Sequence, residues 1–194
     1  MKNKLFNPFV QIAGQKALLI GLGIALLSMA LSLLFQARFD GVIDLHFVET
    51  ITFQDALFDQ FNVLLCVTIC LFAIAKTVAK TNVRFIDILG TTSLARFPFL
   101  LLPWFNINQK MWVISEQMIR SLTTNPTSIA FESTDIAYLA ISSLVSLLAI
   151  VWYVTLLYNA YKVSTNLKGA RLVGSFIAGI LIAEIVSKLT LYIF

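Results

Sequence analysis

The sequence predicts an all-α integral membrane protein, in which residues 1–194 form a single bundle of five transmembrane helices. Three observations lead to this prediction: an apolar composition, five long apolar stretches and a one-sided distribution of basic residues. Apolar residues make up 59% of the chain and charged residues 12%, whereas soluble domains carry about 25% charged residues. With a mean hydropathy of +0.88, the chain has too little polar surface for a water-soluble domain, and nucleic-acid binding is not expected.

Five apolar stretches are long enough to cross a hydrocarbon core of about 30 Å as helices. They cover residues 17–35, 61–79, 88–105, 136–160 and 172–194. The first stretch follows several lysines, as a signal peptide would. It is longer than an ordinary signal core, however, and no small-x-small cleavage site follows it. We therefore expect the first stretch to remain as a membrane span.

The basic residues between the stretches predict the orientation, because cytoplasmic loops carry an excess of Lys and Arg. Nine basic residues fall on one side: Lys2, Lys4, Lys16, Lys76, Lys80, Arg84, Lys162, Lys168 and Arg171. Three fall on the other: Arg38, Lys110 and Arg120. We therefore expect a cytoplasmic N-terminus and an external C-terminus, with residues 36–60 and 106–135 as outer loops.

Both outer loops carry patterns of their own. Residues 42–53 are rich in β-branched and aromatic side chains, which favours a short strand or hairpin at the membrane surface. Residues 110–122 interleave apolar and charged side chains. This second pattern fits either an interfacial helix or an irregular loop folded over the bundle.

Two features shape the spans. Pro98 and Pro103 lie inside the third span and predict a kink, because each removes a backbone donor and clashes with the preceding turn. Small residues recur every four positions on three ridges, which lets helix backbones approach closely. These ridges are Ala17–Gly21–Ala25, Ala170–Gly174–Ala178 and Gly179–Ala183–Ser187.

Three charged residues lie inside the spans and form a predicted intramembrane cluster: Arg96, Glu184 and Lys188. Inserting a charged side chain into the centre of a membrane helix costs about 2.5 to 3.5 kcal/mol, so such residues usually face a partner or a cavity. We expect Glu184 to pair with Arg96 or with Lys188, which follows it at i+4. Three interpretations remain open: a buried ion pair that fixes helix register, a proton or ion relay, and separate snorkelling of the side chains.

Catalytic chemistry has no support in the sequence. The HExxH, GxSxG and GxxxxGK[ST] motifs are absent, and His46 is the only histidine. Cys66 and Cys70 lie on one face of an apolar helix, as small packing residues do. We therefore predict no enzyme activity, catalytic residue, cofactor or metal site.

Three segments resemble the Yip family, the Ypt/Rab-interacting multi-pass membrane proteins, in its prokaryotic members. The run from Arg84 to Gly90 leading into 93–98 is similar to the middle of those proteins. Residues 39–47 resemble their first outer loop, and residues 158–169 resemble their last cytoplasmic turn. The resemblance implies a five-helix domain with a cytoplasmic N-terminus.

The chain also departs from the family pattern. Eukaryotic relatives carry Asp-Leu-Tyr-Gly-Pro before the first span, where this chain has Phe6-Asn7-Pro8-Phe9. Their Gly-Tyr pair before a proline becomes Ser93 and Leu94 when aligned on Pro98. These departures argue against binding of Rab-type GTPases.

The resemblance implies a non-enzymatic membrane scaffold that binds membrane proteins or lipids and organises the bilayer. A small transporter or channel built around Arg96, Glu184 and Lys188 is the alternative. The expected partners are the lipid bilayer and either another membrane protein or a second copy of the chain. The resemblance places the protein in the inner membrane of a prokaryote, or in the Golgi or endoplasmic reticulum of a eukaryote.

The orientation can be tested with single cysteines in a chain whose Cys66 and Cys70 have been replaced. Asn108→Cys lies in an outer loop and should react with a membrane-impermeant thiol reagent in intact cells. Asn82→Cys lies in a cytoplasmic loop and should stay unlabelled. The reverse pattern would show that the protein is inserted the other way.

Overall fold

A computed structural model describes residues 5–80, 82–124 and 132–193. These residues form six α-helices and two short strands. In chain order they are α1 Gly14–Phe35, β1 Ala37–Arg38, β2 His46–Phe47, α2 Phe53–Val78, α3 Phe85–Ala95, α4 Lys110–Thr124, α5 Ser133–Thr165 and α6 Gly169–Ile193. Short 3-10 turns cover Pro8–Val10, Phe97–Leu101 and Pro103–Gln109. The predicted all-α membrane bundle is confirmed.

Four helices are long and apolar enough to cross a membrane by themselves, namely α1, α2, α5 and α6. The third span is broken. Phe85–Leu101 is bent by 43° from Pro103–Thr123, and each 3-10 turn has a proline in its first turn. Proline fits there because the first backbone N–H groups of a helix have no partner within it.

The broken span nevertheless crosses the full bundle. Gly90 lies against Gly14 at the start of α1, and the Asn106 side chain donates to the Phe35 carbonyl at its end, at 2.7 Å. Helix α3 and its 3-10 turns therefore run antiparallel to α1 over the same thickness. We call the end with residues 36–52 the outer end and the opposite end the inner end, after the predicted orientation.

The helices extend beyond the apolar stretches because polar caps set their ends. Helix α2 begins at Phe53, within the predicted outer loop 36–60, because Thr52 and Asp55 form a reciprocal capping box. Helices α1 and α5 end at Gln36 and Asn166, which adopt left-handed backbone conformations. Helix α2 therefore begins about two turns before the predicted second span, which starts at residue 61.

Helix α3 occupies the centre of the bundle, in contact with α1, α2 and α5. Residues 90–96 are all buried, although several are polar. The hydroxyls of Thr91, Thr92 and Ser93 donate to backbone carbonyls one turn earlier, at 2.7–2.8 Å. Intrahelical hydrogen bonds of this kind satisfy polar groups that no water can reach.

Helices α1 and α3 approach until their backbones touch. A Cβ added at Gly21 would lie 2.5 Å from Ser93 Cβ and 2.8 Å from the Leu94 nitrogen. A Cβ added at Gly90 would lie 2.8 Å from the Gly14 carbonyl oxygen. Only glycine fits at these two positions while the helices keep this distance.

The two small-residue ridges of α6 have different surroundings. Gly179, Ala183 and Ser187 face α2, and Asn62 of α2 donates to the Ser187 carbonyl at 2.8 Å. On the other ridge, Gly174 is exposed and no atom lies within 4 Å of its added Cβ. The first ridge therefore builds the bundle, and the described residues leave the second uncovered.

The outer loops differ from the sequence prediction in detail. The hairpin is limited to Ala37–Arg38 paired antiparallel with His46–Phe47. The predicted short hairpin is therefore present, and within residues 42–53 its strand covers only His46–Phe47, since the capping box turns the chain into α2 at Phe53. In the second loop the helix is present as α4, with Ile114 buried and four apolar side chains exposed, Val113, Met118, Ile119 and Leu122. Residues 125–131 of this loop lie outside the described residues.

The contact between α1 and α3 can be tested with two glycine variants of the same helix. Gly21→Ala forces the backbones apart and should lower the free energy of unfolding by about 1 to 3 kcal/mol, as overpacking does. Thermal melting of the purified protein in mild detergent measures this loss.

Gly23→Ala is the matched control, because nothing lies within 4 Å of its added Cβ. Alanine favours the helix by about 0.5 to 1 kcal/mol over glycine, so this variant should melt at the same or a higher temperature. Equal losses in the two variants would contradict the close approach.

Candidate functional site

Charged side chains of the first outer loop turn toward the bundle and meet charges of α2 and α6. We call this set the outer polar cluster. Its members are Arg38, Asp40, Asp44, His46, Asp59, Glu184 and Lys188. It includes two of the three charged residues that the sequence placed inside the spans.

The best-buried ion pair of the cluster joins β1 to α2. Arg38 donates to both carboxylate oxygens of Asp59, at 2.7 and 3.0 Å, and the Asp59 side chain is 1% exposed. The paired fork geometry matches a guanidinium to a carboxylate. The sequence prediction missed this pair because it left Asp59 in a loop. The Thr52-x-x-Asp55 cap is the signal that could have placed Asp59 within a helix.

Helix α6 supplies the second connection. The Glu184 carboxylate accepts from the Ile43 backbone N–H at 3.0 Å and lies 3.8 Å from Lys188. Lys188 also pairs with Asp44 of the loop. The close approach depends on Gly41, because a Cβ there would lie 2.7 Å from a Glu184 oxygen. Glu184 is therefore capped by the outer loop and is not isolated in the hydrocarbon core.

The third connection lies within the loop. His46 Nδ1 is 3.0 Å from an Asp40 carboxylate oxygen. The hydrogen bond to Asp40 raises the pKa of His46 above its ordinary value, against the opposing effect of burial. Burial by itself raises the pKa of Asp40, but His46 and Lys188 outweigh it and hold the net pKa below its ordinary value. Both shifts favour the charged pair.

Arg96 lies apart from this cluster. It is 1% exposed, and none of its three guanidinium nitrogens makes a hydrogen bond to the described residues. Its guanidinium carbon sits 5.5 Å from the ring centres of both Phe39 and Phe99. Tyr153 interacts with it electrostatically, yet its hydroxyl also lacks a hydrogen bond of normal geometry. Aromatic faces thus surround this cation in place of a carboxylate.

The three charged residues of the predicted intramembrane cluster therefore do not form one group in the structure. It brings Glu184 and Lys188 together and joins both to the loop. It places no described carboxylate within ion-pair distance of Arg96. Pro98 and Pro103 lie in the two 3-10 turns that follow Arg96, and both are buried.

Comparison with protein-family models, curated proteins and solved structures gives no match. The resemblance to the Yip family accordingly rests on the three quoted segments and stays a prediction. What the fold defines is a class: the chain is an all-α, multi-pass integral membrane protein.

Because Glu184 lies beside Lys188 and apart from Arg96, the structure predicts the outcome of two double-mutant cycles. In each cycle, thermal melting in mild detergent measures the stability of the variants. Glu184→Gln and Lys188→Gln should be coupled by up to about 1 kcal/mol, the range of partly exposed ion pairs. The coupling is small because Lys188 keeps Asp44 as a second partner.

The parallel cycle combines Glu184→Gln with Arg96→Gln. Since these side chains make no direct contact, their effects should add to within about 0.5 kcal/mol. A larger coupling in this cycle than in the first would show that Arg96, and not Lys188, is the partner of Glu184.

Proposed function

We propose that this protein is a non-enzymatic membrane scaffold that binds other membrane proteins or lipids and organises the surrounding bilayer. The observation that carries the proposal is the exposed apolar face on the outer half of α5. Helix α5 meets α6 through Tyr158 and Tyr161, which pack against Phe176 near the inner end. Toward the outer end its leucines and isoleucines are exposed, including Ile141, Leu144, Leu147 and Leu148 at 58–60%.

Further exposed surfaces support the same function. Helix α4 presents four apolar side chains that the described residues do not cover, and the Ala170–Gly174–Ala178 ridge of α6 is open. Small-residue ridges in membranes serve close helix–helix association. A scaffold needs such lateral surfaces, whereas a transporter needs a polar path through the bundle.

A transporter is the second candidate, and the buried Arg96 favours it because its hydrogen-bonding groups are unsatisfied. Three residues argue against a polar transport path past Arg96, however. Phe39, Phe99 and Tyr153 surround the guanidinium and are themselves fully buried. The outer loop, in turn, covers Glu184. A conducting state would have to move both the loop and these rings.

The two candidates are separated by purifying the protein from its native membranes in mild detergent. For a scaffold, mass spectrometry should find a membrane protein, a lipid or a second copy in a fixed ratio to the chain. Purified protein in liposomes should then leave ion flux at the level of protein-free liposomes. Flux that disappears in Arg96→Gln, together with the absence of any retained partner, would overturn the scaffold in favour of the transporter.

A further inference from the structure

We propose that a cavity beneath the outer hairpin binds the headgroup of a phospholipid whose phosphodiester is followed by a primary ammonium, such as phosphatidylethanolamine. The inference rests on the proposed function, since it names a lipid that the scaffold would bind. The cavity has a volume of about 400 Å³ and opens between the outer loop, α4 and α5. Small-molecule sites usually measure about 300 to 1,000 Å³.

One wall of the cavity offers hydrogen-bond donors. His46 lines it, and because Asp40 holds Nδ1, the other ring nitrogen is left without a described acceptor. Ser143 and Ser146 of α5 line it as well, and neither hydroxyl makes a hydrogen bond to the described residues. When His46 is protonated, its free ring nitrogen donates, and together with the two hydroxyls it is a suitable donor for the oxygens of a phosphodiester.

The loop adds a negative charge beside these donors. Asp44 lines the same cavity, and its side chain remains 46% exposed although one oxygen accepts from the Leu45 backbone N–H and the other pairs with Lys188. An ammonium group can donate up to three hydrogen bonds and therefore suits a carboxylate with accessible oxygens. A trimethylated ammonium has no hydrogen to donate. The Asp44 carboxylate therefore favours an ethanolamine headgroup over a choline headgroup.

The remaining wall of the cavity is apolar, and exposed apolar side chains of α5 lie next to the cavity. Leu102, Met111 and Ile150 line the cavity below the polar groups. On α5, Ser143 is flanked by Leu144 and Leu147, both about 60% exposed. Acyl chains can lie along this face while the headgroup sits among the polar side chains. A membrane lipid satisfies both walls, whereas free phosphoethanolamine satisfies only the polar one.

The test measures lipid retention by native mass spectrometry on the full chain in mild detergent. Phosphatidylethanolamine, phosphatidylcholine and phosphatidylglycerol with the same acyl chains are added in turn. The wild-type chain should retain the ethanolamine lipid best. The double variant Ser143→Ala/Ser146→Ala should bind it about tenfold more weakly, since hydrogen bonds to a charged group are lost.

Thr155→Val is the matched control, because Thr155 lies on the same helix outside the cavity and should leave retention unchanged. Circular dichroism of each variant verifies that the helices are intact. Ser146→Phe, which fills the cavity without removing a loop contact, should also abolish preferential retention. These variants together distinguish a specific site from a general loss of structure.

Three results would overturn the proposal. They are equal retention of the three lipids, unchanged retention in both serine variants, and full competition by free phosphoethanolamine at the concentration of the lipid. None of these bears on whether the chain co-purifies with a membrane protein. A failure of the lipid site can therefore be told apart from a failure of the scaffold proposal.

Discussion

Contact between the backbones of α1 and α3 determines how the other helices can pack. Because Gly21 and Gly90 bring these helices together, the short α3 is enclosed by α1 on one side and by α2 and α5 on the others. In lipid, interhelical attraction comes from such packing and from polar contacts, since burial of apolar surface gains little there. Both are present, for Thr68 of α2 and Thr92 of α3 share a hydrogen bond at 3.1 Å.

The broken third span is tolerated because its buried polar side chains in the described residues, apart from Arg96, have hydrogen-bond partners within the bundle. Prolines in the 3-10 turns remove donors, and Asn106–Asn108 leave helical geometry altogether. Asn106 compensates at the outer end, where its amide donates to Phe35 and its side-chain oxygen accepts from the Trp112 backbone at 3.0 Å. One side chain thereby joins the end of α1 to the start of α4. Irregular backbone at this depth requires such partners.

Sequence patterns predicted the parts of the fold that depend on composition and short-range spacing. Hydropathy located the spans, and the prolines located the kink at Pro98 and Pro103. Apart from the Glu184–Lys188 pair, the outer polar cluster was beyond reach, because Arg38 and Asp59 are brought together by a hairpin and a helix cap, and Asp44 and Lys188 by four crossings of the bundle. A carboxylate partner for Arg96 was one of the arrangements that the sequence left open. The aromatic rings around it come from the loop, the third span and α5, and no local pattern joins these segments.

The pairing of the polar groups has a consequence for the biogenesis of the protein. Chains are synthesised and inserted from the N-terminus, and most polar groups of the later spans meet partners from earlier ones. Thr92 meets Thr68, and Tyr138 meets the Phe105 carbonyl. Glu184 and Lys188, in α6, meet Ile43 and Asp44 of the outer loop that follows α1. Glu184 and Lys188 therefore enter the bilayer after their partners in the outer loop are in place, so for these two charges the order of translation is also the order of neutralisation.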